Sequence, residues 1–415
     1  MGFNDIFGHQ QPIDVLRQAI ASGRIPNAYL FVGPPNVGKT LVAGEFARAI
    51  NCERLPERPR PDQVDACGEC HNCVRIAQEN HPDLQMLRPA VRVEVKPPAE
   101  EAAGRGSDEP RARTIARDVY IELPDALIYT EQVERLIQQL SAKPALARRK
   151  IAIISSAERM HTDGANKLLK TLEEPPPHTT FVLTSANPSR LLDTIISRCQ
   201  MLKFHPLSNA ELLTTLAERF PAADEALREA AMAMAGGRYG RAEWLMEAPD
   251  VLSLRGELLD LIAATPSAPL VECLRMGERL AEMPERWWNA AEAVEAEAGR
   301  GSEEDRQMRA EALEQLAKKS PDRINRIQMN ELLDVLQTWF RDLTLLRADA
   351  ASELVLNADR AEQLRSLSRG YSPEGLVWAS EVIEDVRADL LAHNANFGLA
   401  CQVLMVKLIS AARRQ

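Results

Sequence analysis

Ala28-Tyr-Leu-Phe-Val32-Gly33-Pro34-Pro35-Asn36-Val37-Gly38-Lys39-Thr40 is the stretch on which the fold class turns. A five-residue apolar run ends in a glycine loop, and a helix-compatible segment from Lys39 to Ile50 follows. Gly33–Thr40 matches G-x-x-x-x-G-K-[ST] in full, between the strand and the helix that this pattern requires. In such a loop the backbone N–H groups point at phosphate oxygens, and the helix N-terminus adds a favourable dipole. Lys39 is then expected on the terminal phosphates, and Thr40 offers its hydroxyl to Mg²⁺.

Outward from the loop, short apolar runs alternate with amphipathic segments through residue 205. Asp83–Leu87, Lys150–Ile154, Thr180–Thr184 and Met201–Phe204 read as further strands, and Glu131–Leu140 sets Val133, Leu136, Ile137 and Leu140 on one helical face. This alternation predicts an α/β domain over 1–205, a five-stranded parallel sheet with helices on both faces. After Pro206 the pattern is wholly helical. Ser208-Asn-Ala-Glu211 forms a capping box, Pro221 stops the helix it opens, and Gly236-Gly237 separates two more short helices. A three-helix lid over 206–249 and an all-α domain over 250–415 are expected. Residues 89–118, with their prolines, glycines and scattered charges, read as a disordered insert, and 292–314 as exposed helix and loop.

A nucleotide hydrolase built on this loop needs a carboxylate on Mg²⁺, and usually a second acid to position water. Both belong at the end of a strand facing the loop. Here Lys150-Ile-Ala-Ile-Ile154 is followed by Ser155-Ser156, which cannot anchor the metal or act as a base near neutral pH. Glu158 or Asp163 could substitute only from shifted positions, and catalytic geometry tolerates errors of ~1 Å poorly. The expectation is nucleotide binding without hydrolysis, with Mg²⁺ held weakly.

Cys52, Cys67, Cys70 and Cys73 read C-x14-C-x2-C-x2-C. Four thiolates at that spacing make a closed tetrahedral site, so a structural Zn²⁺ module is expected at 52–73. His71 is a possible substitute ligand, placed awkwardly between two of the cysteines. The formal charge of −10 argues against a protein drawn onto DNA by a global positive field, although a local basic face stays open. Lys143, Arg148, Arg149 and Lys150 form the notable basic cluster. No apolar run reaches the ~20 residues of a membrane span, and the start lacks a signal-peptide pattern, so the cytoplasm is the expected compartment.

Taken together, the phosphate loop, the four cysteines, Asn166-Lys-Leu-Leu-Lys-Thr-Leu-Glu-Glu-Pro-Pro176 and Ser197-Arg198-Cys199 resemble the bacterial clamp-loader AAA+ family, the delta-prime and tau/gamma subunits of DNA polymerase III. The resemblance runs from Phe7-Gly8-His9 to about Cys199 and more loosely beyond. It implies that Arg198 is an arginine finger acting in trans on a neighbour's ATP. It also implies that Ser185 is the first sensor, and that Arg241 is the lid arginine, with Arg238 in competition. Implied partners are tau/gamma motor subunits and a delta subunit in a heteropentamer held by a helical collar over 250–415, the sliding clamp, and primer-template DNA. Trp339-Phe-Arg-Asp-Leu343 and His393-Asn-Ala-Asn396 resemble delta-prime collar helices. Tau/gamma members carry Asp-Glu where this chain has Ser155-Ser156, so the expected branch is delta-prime. The alternatives are a hydrolysing tau/gamma motor and, in another class, a zinc-module nucleic-acid binder whose affinity for DNA would be salt-sensitive.

Overall fold

The computed structural model describes residues 2–95, 117–123, 126–297, 303–319, 321–350, 354–392 and 395–413. Two compact units form: 1–207 with 238–240 and 300–315, and 208–237 with 241–299 and 316–415. Residues 208–237, within the segment expected as a lid, fall in the same unit as most of the C-terminal helices.

Among the described residues, seven strands, β1 (Ala28–Val32), β2 (Leu84–Leu87), β3 (Val91–Val95), β4 (Arg117–Ile121), β5 (Lys150–Ile154), β6 (Thr179–Ser185) and β7 (Gln200–Lys203), lie in the first unit. With them run α1 (Gln10–Ser22), α2 (Lys39–Asn51), α3 (His71–Ala77), α4 (Thr130–Leu140), α5 (Thr162–Glu173) and α6 (Asp193–Ile196). The five-stranded sheet has the order β2-β5-β6-β1-β7, parallel throughout, with Ala28 opposite Phe181 and Lys150 opposite Thr179. Alternation along each strand divides the core between the two faces. Tyr29, Phe31, Ile151, Ile153 and Val182 pack under α1 and α2, while Leu30, Ala152, Ile154, Phe181 and Leu183 pack under α4 and α5. Helices therefore cover both sides, as the alternating sequence requires.

The insert expected over 89–118 needs correction at its ends. β3 and β4 pair as an antiparallel ribbon, Val91 opposite Ile121 and Val93 opposite Val119. Its valines alternate with charged residues, a period-2 pattern masked by the Pro- and Gly-rich stretch that follows. Residues 96–116 lie outside the described residues, as do 298–302 and the His393-Asn394 half of the second collar landmark.

The remaining helices are α7 (Asn209–Arg219), α8 (Glu225–Ala235), α9 (Tyr239–Glu247), α10 (Pro249–Ala263), α11 (Leu270–Glu297), α12 (Glu303–Lys319), α13 (Pro321–Arg347), α14 (Ala361–Ser368), α15 (Pro373–Ala392) and α16 (Phe397–Arg413). Ser208 caps α7 as expected: its hydroxyl accepts from Glu211 N at 3.3 Å, and Glu211 Oε2 accepts from Ser208 N at 2.8 Å. Trp339, Phe340 and Leu343 are buried on α13. Asp342 beside them is fully buried and accepts from Asn357 N and Nδ2, each at 2.7 Å. Arg255 closes this network by donating to Asn357 Oδ1 and to both oxygens of Asp359. A buried carboxylate and guanidinium are tolerable there because each is hydrogen-bonded on several sides.

Candidate functional site: a phosphate loop and a four-cysteine module

β1 delivers Gly33 into contact with two neighbouring strands. Its N–H donates to Ser185 O at 3.1 Å, and a Cβ at this position would stand 2.4 Å from Phe204 O. Only glycine fits. Asn36 (φ 57°) and Gly38 (φ 111°) adopt the left-handed backbone that wraps the loop before α2 begins at Lys39. Pro34 and Pro35 stiffen the first half of the loop, with φ held by their rings.

Lys39 is buried, and its Nζ donates to Gly33 O at 2.6 Å and Pro34 O at 2.5 Å. Burial pulls its pKa down from 10.5 to about 8, against an opposing pull from the Glu158 carboxylate. The cation is thus folded back onto the loop it would leave to meet a phosphate. Val37 is buried, and its carbonyl accepts from His9 Nε2 at 2.7 Å. Because a carbonyl only accepts, Nε2 must carry the proton. Burial pushes the imidazole pKa down, which favours the neutral ring. His9 also packs against Phe204, the ring centroids 4.9 Å apart and the planes tilted by 54°. The sequence signal for this contact, Phe7-Gly8-His9, was visible without a role attached.

Thr40 Oγ1 lies 3.5 Å from Ser155 Oγ. The Thr40 hydroxyl, the one expected to reach a metal, therefore faces the residue that follows β5, and that residue is a serine. Ser156 takes a left-handed conformation (φ 50°) and donates its N–H to Thr184 Oγ1 at 3.1 Å. Glu158, two residues on, turns to the end of β6, where its Oε1 accepts from Ala186 N at 3.2 Å. Ser185 is fully buried, and its hydroxyl accepts from Asn187 N at 3.1 Å, so the candidate sensor also shapes the turn after β6.

Arg198 donates to Thr194 O at 2.8 Å and pairs with Glu173, the first acid of the Glu-Glu-Pro-Pro turn. It is about one-third exposed at the side chain, so a partner could compete for it. Arg241 pairs with Glu331 and lies over the Trp244 ring at 4.8 Å, within the second unit. The phosphate loop, Ser185 and Arg198 share the first unit; Arg241 is outside it.

Four sulfurs converge at the far end of α2. Cys52 caps that helix, Cys67 and Cys70 flank a Gly68 turn (φ 76°), and Cys73 sits in the first turn of α3. Their Sγ atoms all lie within 4.8 Å of one another. A tetrahedron with sulfur at ~2.3 Å from an ion has edges of ~3.8 Å, so a contraction of under ~1 Å would close it. Cys70 N donates to Cys67 Sγ at 3.3 Å and Cys73 N to Cys70 Sγ at 3.4 Å. Burial works against ionisation of Cys67, but the N–H groups of Glu69 and Cys70 bring its thiol down to about 6, favouring the thiolate a metal needs. Burial pushes Cys52 and Cys73 up, so an arriving cation must displace their protons. His71 points instead to Arg75, with Nε2 at 3.5 Å from the guanidinium. The cluster is a four-sulfur set that could hold a metal ion.

The module is tied to the sheet by a relay of buried polar groups that sequence reasoning missed. Asn51 donates to Arg149 O (3.1 Å) and accepts from Arg149 N (3.0 Å), while its own carbonyl accepts from Asn72 Nδ2 (3.0 Å). His81 Nδ1 accepts from Asp83 N at 3.1 Å, which leaves Nε2–H to donate to Asn72 Oδ1 at 3.1 Å. Asp83 in turn accepts from the N–H groups of Ala145, Leu146 and Ala147 at 2.8–3.0 Å. These are single polar residues inside apolar or turn-like context, with no spacing to announce them.

Residues 8–208 match the protein family described as DNA polymerase III, delta subunit. Subunit delta' of Bacillus subtilis is 33% identical over 206 residues, covering 49% of this chain and 50% of that protein. Subunit delta' of Pseudomonas aeruginosa is 32% identical over 249 residues, covering 58% and 64%. Subunit gamma of Buchnera aphidicola is 28% identical over 214 residues, covering 52% and 47%. The chain thus spans 47% to 64% of the length of these three relatives, and both branches stand at comparable identity. Among the described residues, no helix is long and apolar enough to cross a membrane.

Proposed function

We propose, on the premise that the chain belongs to the clamp-loader AAA+ family of DNA polymerase III subunits, that it is a delta-prime-type member. It binds ATP weakly or not at all, hydrolyses none, and lends Arg198 to an adjacent motor. The observation that carries this reading is the 3.5 Å contact of Thr40 with the hydroxyl of Ser155. A hydroxyl there cannot hold Mg²⁺ as a carboxylate would, and the nearby Glu158 is engaged with Ala186 N. Gly33–Thr40 then serves as a nucleotide cradle without its own chemistry. Ser185 and Arg241 act as sensor and lid arginine, the latter after release from Glu331.

Arg198 supports the role in trans because its present partner, Glu173, is an exposed acid of the same chain. A guanidinium freed from it can stabilise charge on a transferring phosphoryl group, an effect worth ~10³–10⁵ in rate. In this reading Cys52, Cys67, Cys70 and Cys73 hold a structural Zn²⁺. The helices of 250–415 seat the chain in a heteropentamer with tau/gamma and delta subunits. That assembly opens the sliding clamp and places it on primer-template DNA.

The isolated chain is expected to show no ATP turnover above background. Turnover that Lys39→Ala abolishes would establish the second reading, a tau/gamma-type motor, for which the gamma relative speaks. In a loader reconstituted with motor and delta subunits, Arg198→Ala should preserve assembly and depress the DNA-stimulated ATPase. An unchanged ATPase rejects the finger.

A further inference from the structure

Arg48 lies on α2, one turn before Cys52, and is 6% exposed. Its NH1 pairs with Glu45 Oε1 at 2.6 Å, in a position where both side chains are buried. The pair is incompletely satisfied, since Arg48 Nε and Glu45 Oε2 are buried without a hydrogen-bond partner. Leaving a donor of a buried guanidinium unused is costly, so the open Nε calls for an acceptor or a neighbouring negative charge on the side away from Glu45 Oε1. The cysteine cluster lies beside it. Arg48 O is 4.0 Å from Cys73 Sγ, and Arg48 NH2 is 3.7 Å from where a Cβ on Gly68 would stand, in the turn between Cys67 and Cys70.

Four thiolates around a divalent cation carry a net charge of about −2 in a poorly solvated site. The N–H groups aimed at the sulfurs offset part of it as dipoles, and Arg48, its charge partly offset by Glu45, presents its guanidinium to the turn between Cys67 and Cys70. We propose that Arg48 is the buried counter-charge of the loaded four-cysteine site, a positioning residue whose guanidinium stabilises the tetrathiolate complex. This inference rests on the cluster holding a metal and is independent of the clamp-loader role.

The competing explanation is that Arg48 exists only to neutralise Glu45. A charge cycle on the full chain separates the two, using Zn²⁺ affinity by chelator competition and the charge-transfer bands of the Co²⁺-substituted protein as readouts. Arg48→Met is expected to weaken Zn²⁺ binding ~10–100-fold, the range for loss of a group supporting metal ligands. Glu45→Gln should bind at least as tightly as the unaltered chain, and the double variant E45Q/R48M should stay weak. Arg48→Lys, which keeps the charge, should bind within a few-fold of the parent even if its folding is less stable. Affinity restored in the double variant, R48M within twofold of the parent, or R48K as weak as R48M would each overturn the proposal. A parent chain that binds no Zn²⁺ would remove the metal reading and Arg48's role together.

Discussion

Raising the pH should weaken the ATP binding proposed for the phosphate loop, because Lys39 titrates within reach of ordinary buffers. Burial brings its pKa to about 8 from the usual 10.5. Such a lysine is about nine-tenths charged at pH 7 and about one-tenth charged at pH 9. Only the cation meets a phosphate favourably, so each lost proton removes a binding-competent molecule. Apparent affinity for ATP should fall about tenfold over that interval, or ~1.4 kcal/mol. A lysine left at 10.5 would give a nearly flat profile. The assay is equilibrium anisotropy with a fluorescent ATP analogue at constant ionic strength. Lys39→Arg serves as the control, since a guanidinium keeps its charge throughout and reports only the titration of the nucleotide. Equal binding by the parent chain at pH 7 and 9, or an equal loss in Lys39→Arg, would refute a titrating Lys39.

Three further outcomes follow from the same geometry. Asp83→Ala should cost about 2–3 kcal/mol in urea unfolding, because it orphans the N–H groups of Ala145, Leu146 and Ala147. Burial works to raise the Asp83 pKa, but those N–H donors prevail and hold it below 3.8. The stabilisation is therefore complete above pH ~4 and disappears as pH falls through the lowered folded value. For His81, burial depresses the folded pKa below 6.5, so the unfolded chain takes up a proton first as pH falls. Stability should decline below pH ~6.5, with a shallower slope in His81→Gln. Gly33→Ala places a Cβ against Phe204 O and should destabilise the first unit while abolishing nucleotide binding, readable as a lower Tm and a flat anisotropy titration.

Much of the first unit was legible because its signals are redundant. The Gly33–Thr40 motif fixes a strand before it and a helix after it, and the apolar runs at 150–154 and 179–185 are too short and too β-rich to be helices. Cys52, Cys67, Cys70 and Cys73 announced convergence by spacing, and the sulfurs do converge. The β3–β4 ribbon was hidden because its two halves are separated by more than twenty residues of loop-like composition. Glu45 and Arg48 carry no signal of burial: a charged i,i+3 pair reads as a solvated helix face until both sides of α2 are known to be covered. The pairing of Arg241 with Glu331 spans 90 residues, and no local pattern could foretell it.

Helix α2 begins at the loop lysine and ends one residue before the first cysteine, a span of 13 residues. Adding or deleting one residue inside it would swing everything downstream by about 100° and shift it ~1.5 Å along the axis. Cys52 would then aim away from its three companions while the Gly33–Thr40 loop stayed intact. The interval between lysine and thiol should therefore be the least elastic distance in this domain, and length changes are to be sought in the turns on either side, never within the rod.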